Sequence, residues 1–334
     1  MNYIGMDIHK QFTVAVAKDK DGNKLAEEKF DNSQDNFKRF LKDFVPEETK
    51  IVMESTSIWG YIFEILDEMK YEVKLANPTK TRAIAEARIK TDSIDANTLC
   101  DLLRANLVAE SYIPPKEIRN LRDIMRQRKS IVKGRTQIKN KIHGILLMHG
   151  IKLPWAGLGK KSIEWIIEEI KITTIKSVLV SYINLVEQFD FELKKLEERI
   201  DEIAMQNEKA KLLMTIYGIA SVRALEIIAE IGDIKRFESS EKLCSYAGLV
   251  PGIKQSGTTL VFGRLIKQAN KNLKCVFVEA SWNLIRVKEN NRFRDFYLKL
   301  SKKKGKQKAI CAVARKLCCV VYAMLTKNQE FIFL

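Results

Sequence analysis

The chain opens on short apolar runs rich in strand-forming residues. NYIGMDI (2–8) and QFTVAVAK (11–18) each predict a strand, and the Asp21-Gly22-Asn23 turn leads into a third over Lys24 to Phe30. Asn32-Ser33 can cap a helix carrying Phe37, Phe40, Leu41 and Phe44. TKIVM (49–53) predicts a fourth strand ending at Glu54. A helix on Ile58, Ile62, Ile65, Leu66 and Met69 follows, then a fifth strand over Glu72 to Ala76, stopped by Asn77-Pro78. From Asp92 the pattern is helical to Asn106, and Pro114-Pro115 marks a boundary.

The order β-β-β-α-β-α-β-α is that of the ribonuclease H-like α/β fold, an order that other α/β folds share. Beyond the boundary the pattern is helical. One helix is expected from about Glu117 to His149. Farther on, Tyr182, Val186, Phe189, Leu193, Leu196, Ile200 and Ile203 step by four and three, a coiled-coil seam of about three heptads. That seam can pack within the chain or between two chains. LMTIYGIASVRALEIIAEIG sets a glycine-containing turn between two apolar helical segments, like a helix-hairpin-helix, whose turn amides and second helix face phosphate. CSYAGLVPGIKQSGTT is expected to be a loop of small residues, followed by the basic stretch GRLIKQANKNLK and an apolar helix through Met324. The division expected is 1–112, an α/β catalytic domain; 113–208, a basic helix and coiled-coil section; and 209–334, a mainly α C-terminal domain.

Charge sharpens this picture. Fifty-eight Lys and Arg against forty-two Asp and Glu leave a formal +16, which favours polyanionic partners. The excess gathers on the 117–149 helix, where Arg119, Arg122, Arg126, Arg128, Lys129, Lys133, Arg135 and Lys139 face only Glu117 and Asp123. A solvated face usually mixes signs, so this helix is the candidate phosphate-tracking element. The start MNYIGMDIHK has no basic and apolar leader, and no membrane span is expected, so the reading is cytoplasmic and nucleoid-associated. The six cysteines form no CxxC pair and no zinc spacing, and are expected to be reduced core residues.

Four acids stand out by position. Asp7 ends the first strand and Glu54 the fourth, neighbours in this strand order, while Asp92 and Asp95 lie three apart at a helix start. Carboxylates so disposed can hold two divalent cations about 3.5–4 Å apart around a scissile phosphate, and Mg²⁺ (or Mn²⁺) suits hard oxygen donors. An acid ending an IVM run needs a partner or a metal. Three histidines, His9, His143 and His149, offer little basis for a Ser/His/Asp triad, and no P-loop or GxGxxG is present.

GMDIHK, MESTSIWG and RIKTDSIDANTL, then IYGIASVRALEIIAEIGDIKRF and SYAGLVPGIKQSG, closely resemble the insertion-sequence-110 family of transposases, in order and through nearly the whole chain. The resemblance implies a DEDD RuvC-like domain and a C-terminal transposase domain. It implies exchange of donor and target DNA strands guided by a structured "bridge" RNA, in a dimer or tetramer. Asp7, Glu54, Asp92 and Asp95 match the acidic tetrad, and Ser256 matches the nucleophilic serine. Thr258 stands where a second glycine is common, and QANKN replaces a basic-x-Gly-Asn segment. Three readings stand at this point: an RNA-guided DNA recombinase, a junction resolvase or nuclease using metals alone, and an inactive nucleic-acid-binding copy.

Overall fold

The computed structural model describes residues 1–84, 91–155, 157–256, 259–287 and 291–332. The chain divides into two compact units, Met1–Ile113 and Pro114–Leu334.

In the first unit β1 (Asn2–Ile8), β2 (Phe12–Lys18) and β3 (Lys24–Asp31) form an antiparallel meander. Helix α1 (Gln34–Leu41), capped by the Ser33 side chain, leads to β4 (Thr49–Glu54), which pairs parallel with β1. Helix α2 (Trp59–Glu68) then returns the chain to β5 (Glu72–Ala76), parallel to β4. Helices α3 (Pro78–Ile84) and α4 (Asp92–Arg104) and the two-residue edge strand β6 (Glu110–Ser111) complete a mixed sheet of order β3-β2-β1-β4-β5-β6. Period-two alternation sorts the side chains. Ile4, Met6 and Ile8 join Ile51 and Met53 in a core closed by α1 and α2. Val14 and Val16 of β2 and Val52 of β4 face the other way, onto Ala96, Leu99 and Leu103 of α4.

Helix α4 lies unusually close to β1. A Cβ on Gly5 would stand 2.2 Å from the Ala96 carbonyl oxygen and 2.5 Å from the Cys100 nitrogen, so only glycine fits. The buried Lys18 ammonium donates to Asp101 of α4 at 2.7 and 2.8 Å, a second tether between this helix and the sheet.

The second unit is mostly helical. Helix α5 (Lys116–Met148) packs with α6 (Lys160–Glu169) and α7 (Thr173–Gln206). The heptad seam on α7 turns inward, with Val186, Leu193 and Ile200 buried, and the Phe189 ring lies where a side chain on Gly134 of α5 would have to go. The seam therefore packs within the chain. Helices α8 (Glu208–Met214) and α9 (Ser221–Ile231) are joined by a short turn holding Gly218 at φ +89°. With α10 (Ser240–Tyr246), α11 (Lys271–Leu284) and α13 (Lys306–Lys327) they form the largest core; α12 (Arg292–Lys304) packs on α13. Helix α13 has the length and hydropathy of a membrane span, yet Ile310, Val313, Leu317 and Val321 are buried in the unit.

Two sequence expectations need correcting. The segment read as a loop of small residues is the end of α10 followed by β7 (Pro251–Ser256), paired antiparallel with β8 (Thr259–Leu265). Its glycines read as loop, while TTLVFGRL carries the β-branched and aromatic residues that favour strand pairing. All six cysteines are free as expected, but only Cys100, Cys244 and Cys318 are buried; Cys275, Cys311 and Cys319 are partly exposed.

Candidate active site

Asp7 is the last but one residue of β1, on the same sheet face as Gly5, and is nearly buried. Because Gly5 lets α4 press against β1, the first turn of α4 arrives beside Asp7. Thr91 caps that helix by accepting from the Ile94 amide, which leaves Asp92 and Asp95 free of capping duty. Burial pushes the Asp7 carboxyl above the usual carboxylate range. His9 pulls it down, and the charges of Asp95 and Asp92 push it up again. Three carboxylates from two elements thus feel one another.

His9 joins them. Its Nε2 lies 3.1 Å from an Asp7 oxygen and 3.2 Å from an Asp92 oxygen, and its ring packs on Phe12 with centroids 4.5 Å apart. The ligand atoms of Asp7, His9 and Asp92 all lie within 4.8 Å of one another. Sequence reasoning noticed His9 only as one of three histidines that offer little basis for a triad. Its signal was its position, two residues past Asp7 and therefore on the same side of the chain.

Glu54 ends β4 one register step beyond the Met6–Met53 pair, on the sheet face of Val52 that α4 covers. It and Asp95 stand outside the closest set of ligand atoms found among the described residues. Ser256 belongs to the second unit, at the end of β7 and opposite Thr259 in the ribbon. Its neighbours Gly257 and Thr258 lie outside the described residues, as do Arg88 to Lys90 of the RIKTDSIDA block.

Together, Asp7, Asp92, Asp95 and Glu54 supply hard oxygen donors, and His9 a nitrogen. Asp7, His9 and Asp92, whose ligand atoms lie closest together, are the residues that could hold a divalent cation.

The basic helix is more occupied than its sequence suggested. Arg122 donates to the carbonyls of Ala229 (2.6 Å) and Glu230 (3.2 Å), satisfying the C-terminal end of α9. Arg126 reaches the buried Glu230 carboxylate, Arg128 pairs with Glu197, and Arg135 with Asp190. Lys129 donates to Asn272, Lys139 to the Leu158 carbonyl, and Arg119 to the Pro114 carbonyl. Lys133 borders a cavity of about 610 Å³ beside Arg223 and Glu226. Glu230 also accepts from Asn270 (2.8 Å) and Asn272 (3.1 Å), so the QANKN segment has a packing role, holding α11 to α9 and α5.

Comparison with known proteins then decides the family. A transposase model of the DEDD insertion-sequence-110 kind matches residues 4–150, and one described as "Transposase IS116/IS110/IS902 family" matches residues 210–298. The chain belongs to the insertion-sequence-110 family of transposases. It is 25% identical to the transposase for insertion sequence element IS1111A of Coxiella burnetii, over 84% of this chain and 79% of that one. It is 23% identical to the transposase for IS1328 of Yersinia enterocolitica, over 98% of both. A shorter stretch, 37% of this chain and 39% of the relative, is 33% identical to the pilin gene-inverting protein of Moraxella bovis. As a member of this family the chain is a DNA transposase, a recombination enzyme.

Proposed function

We propose that this transposase cuts and rejoins DNA through two sets of groups: a metal-binding acidic tetrad, Asp7, Glu54, Asp92 and Asp95, and a nucleophile, Ser256. The observation carrying the first is the convergence of Asp7 and Asp92 on His9, with Asp95 close enough for its charge to act on Asp7 and Glu54 at the adjacent strand end. The parallel β1–β4 pair with α4 across its end supports a ribonuclease H-like, RuvC-like reading of residues 1–112. On this reading 113–208 is the basic helix and coiled-coil section and 209–334 the transposase domain with a helix-hairpin-helix-like α8–α9 pair.

A divalent cation held by the tetrad would supply positive charge to a scissile phosphate. Asp7 and Asp92 would orient it, with His9 fixing the spacing of their oxygens. The Ser256 hydroxyl would attack phosphorus: an Oγ–P bond forms, one bond from phosphorus to a deoxyribose oxygen breaks, and the proton lost from Oγ is balanced by one gained at the leaving oxygen. Because a phosphate ester is exchanged for another, the strand can be rejoined without ATP. Support for Ser256 is the family membership and its position ending β7. A structured guide RNA would choose the DNA, and a dimer or tetramer would hold two ends.

The test incubates protein, the RNA transcribed from the flanks of its gene, Mg²⁺ and labelled target DNA, then denatures. Labelled DNA should remain on the protein band, and both Ser256→Ala and Asp92→Ala should remove it. Undiminished cleavage to free ends by Ser256→Ala would hand the reaction to metals and water alone.

A further inference from the structure

If most cations of α5 are held by partners in the chain, the net positive charge must be free elsewhere. Helices α12 and α13 carry eleven Lys and Arg against one acid, Asp295. Four cations at this end, Lys304, Lys308, Arg315 and Arg264 of β8, line one groove of about 480 Å³ at the base of the β7–β8 ribbon. Among the described residues no acid lines that groove, and all four cations are exposed. Among the described residues none of the four makes a side-chain ion pair or hydrogen bond. Glu241 of α10 comes close enough to feel Arg315. The floor is apolar: Leu249, Pro251, Leu265 and Leu300.

A row of unpaired cations around an apolar floor suits one kind of partner. Phosphates can meet the rim while the unstacked faces of bases cover the floor, the design of a groove that tracks a single strand. A metabolite anion would need several converging hydrogen-bonding groups, and besides the four cations the lining offers one side-chain amide, Gln307. A protein helix would meet the apolar floor but leave four cations without partners unless it were strongly acidic. We infer that this groove binds a single DNA strand and leads it along the ribbon toward Ser256. From Pro251 at the groove to Ser256 at the end of β7 is five residues of extended chain, about 17 Å at the strand rise. A strand lying there would reach the end of the ribbon within a few nucleotides.

The inference rests on the proposed reading only for the direction of the strand; binding itself does not require Ser256 to react. The experiment therefore reads binding alone, with full-length protein, a fluorescent oligodeoxythymidine and no divalent metal. Lys304→Gln with Lys308→Gln changes two exposed side chains at helix ends and should leave melting unchanged. It should weaken binding and flatten the log–log salt dependence by about 1.4, at roughly 0.7 per phosphate contact on a single strand. Lys38→Gln with Lys42→Gln, an equal charge change in the first unit, should leave the slope as it was.

A second readout locates the strand. Cys311 lines this groove and Cys275 lines the cavity beside α5. Bound oligodeoxythymidine should slow alkylation of Cys311, followed by peptide mass spectrometry, and leave Cys275 unaffected. An unchanged salt slope in the Lys304/Lys308 variant would overturn the inference, and so would protection of Cys275 without Cys311. Loss of binding only to the matching oligouridine would assign the groove to RNA and also overturn it. Failure of the serine adduct with Cys311 still protected would refute the nucleophile and leave the groove standing.

Discussion

Replacing Gly5 by alanine tests the geometric cause of the site. The new methyl would stand 2.2 Å from the Ala96 oxygen and 2.5 Å from the Cys100 nitrogen. Ordinary contact begins near 3.4 Å, so the overlap is about 1 Å, and both obstacles are backbone. No rotamer change relieves it; α4 must move off β1 by about that distance. Overpacking of this kind costs roughly 1–3 kcal/mol. For a unit of this size each kcal/mol is about 4–8 °C, so the first unit should melt about 4–24 °C lower. The shift would also carry Asp92 and Asp95 away from Asp7, and misplacement of a reacting group by about 1 Å can cost on the order of a hundredfold in rate. The control is Gly60→Ala on α2, where a Cβ meets nothing within 4 Å. Helix propensity favours that change by roughly 0.5–1 kcal/mol. Scanning calorimetry and a strand-cleavage assay on both variants give the two readouts. A Gly5→Ala protein that melts with the parent and cleaves at its rate would refute the argument that close approach of α4 builds the site.

Further expectations follow from single contacts. Because burial raises the Asp7 carboxyl in the folded protein, its protonation stabilises the fold, fully below the unfolded value and less as pH rises through the folded one. Asp7→Asn should therefore melt higher than the parent near pH 7.5 in chelator and lose that advantage near pH 4, whereas Mn²⁺ or Mg²⁺ should raise only the parent. Arg122→Met should destabilise the second unit by about 1.5–3 kcal/mol for lost charged hydrogen bonds, seen as a lower melting temperature, and leave the salt slope of nucleic-acid binding unchanged. Leu193→Asp, a charge put into the α5–α7 packing, should unfold that region at a cost on the order of 4 kcal/mol, seen by circular dichroism as lost helix. A well-folded Leu193→Asp protein that merely changed oligomeric state would show that α7 packs between chains instead.

The first unit was the more legible half. Strands 2–8 and 72–76 have the bounds that their apolar runs and turn residues suggest, because β-branched runs with Gly, Asn and Pro punctuation constrain few alternatives. The two-residue strand Glu110–Ser111 left no such mark, since its pairing to Leu75 and Ala76 is set by where the chain returns. The β7–β8 ribbon was hidden for the opposite reason: Gly252 and Gly263 are loop signals, and only pairing across the ribbon makes them strand residues. Heptad spacing on α7 found the right face but not its partner, because period does not say which helix fills the seam.

Charge separated even less well. A sequence displays the sign of each side chain, while function depends on whether that sign is already answered. On α5 the answering groups lie far along the chain: Glu197 for Arg128, Asp190 for Arg135, and the carbonyls of Ala229 and Glu230 for Arg122. No helical periodicity connects those positions, so the densest basic face looked like the best phosphate track. Lys304 and Lys308 belong to the basic run SKKKGKQK, but Arg264 and Arg315 stand apart from it in sequence, and only the fold gathers the four in one groove. His9 follows the same rule at the acidic end. In sequence it was one of three scattered histidines, and only the close seating of α4 on Gly5 brings Asp92 within reach of its Nε2. In both cases the deciding quantity is a distance between segments, which composition and spacing do not contain.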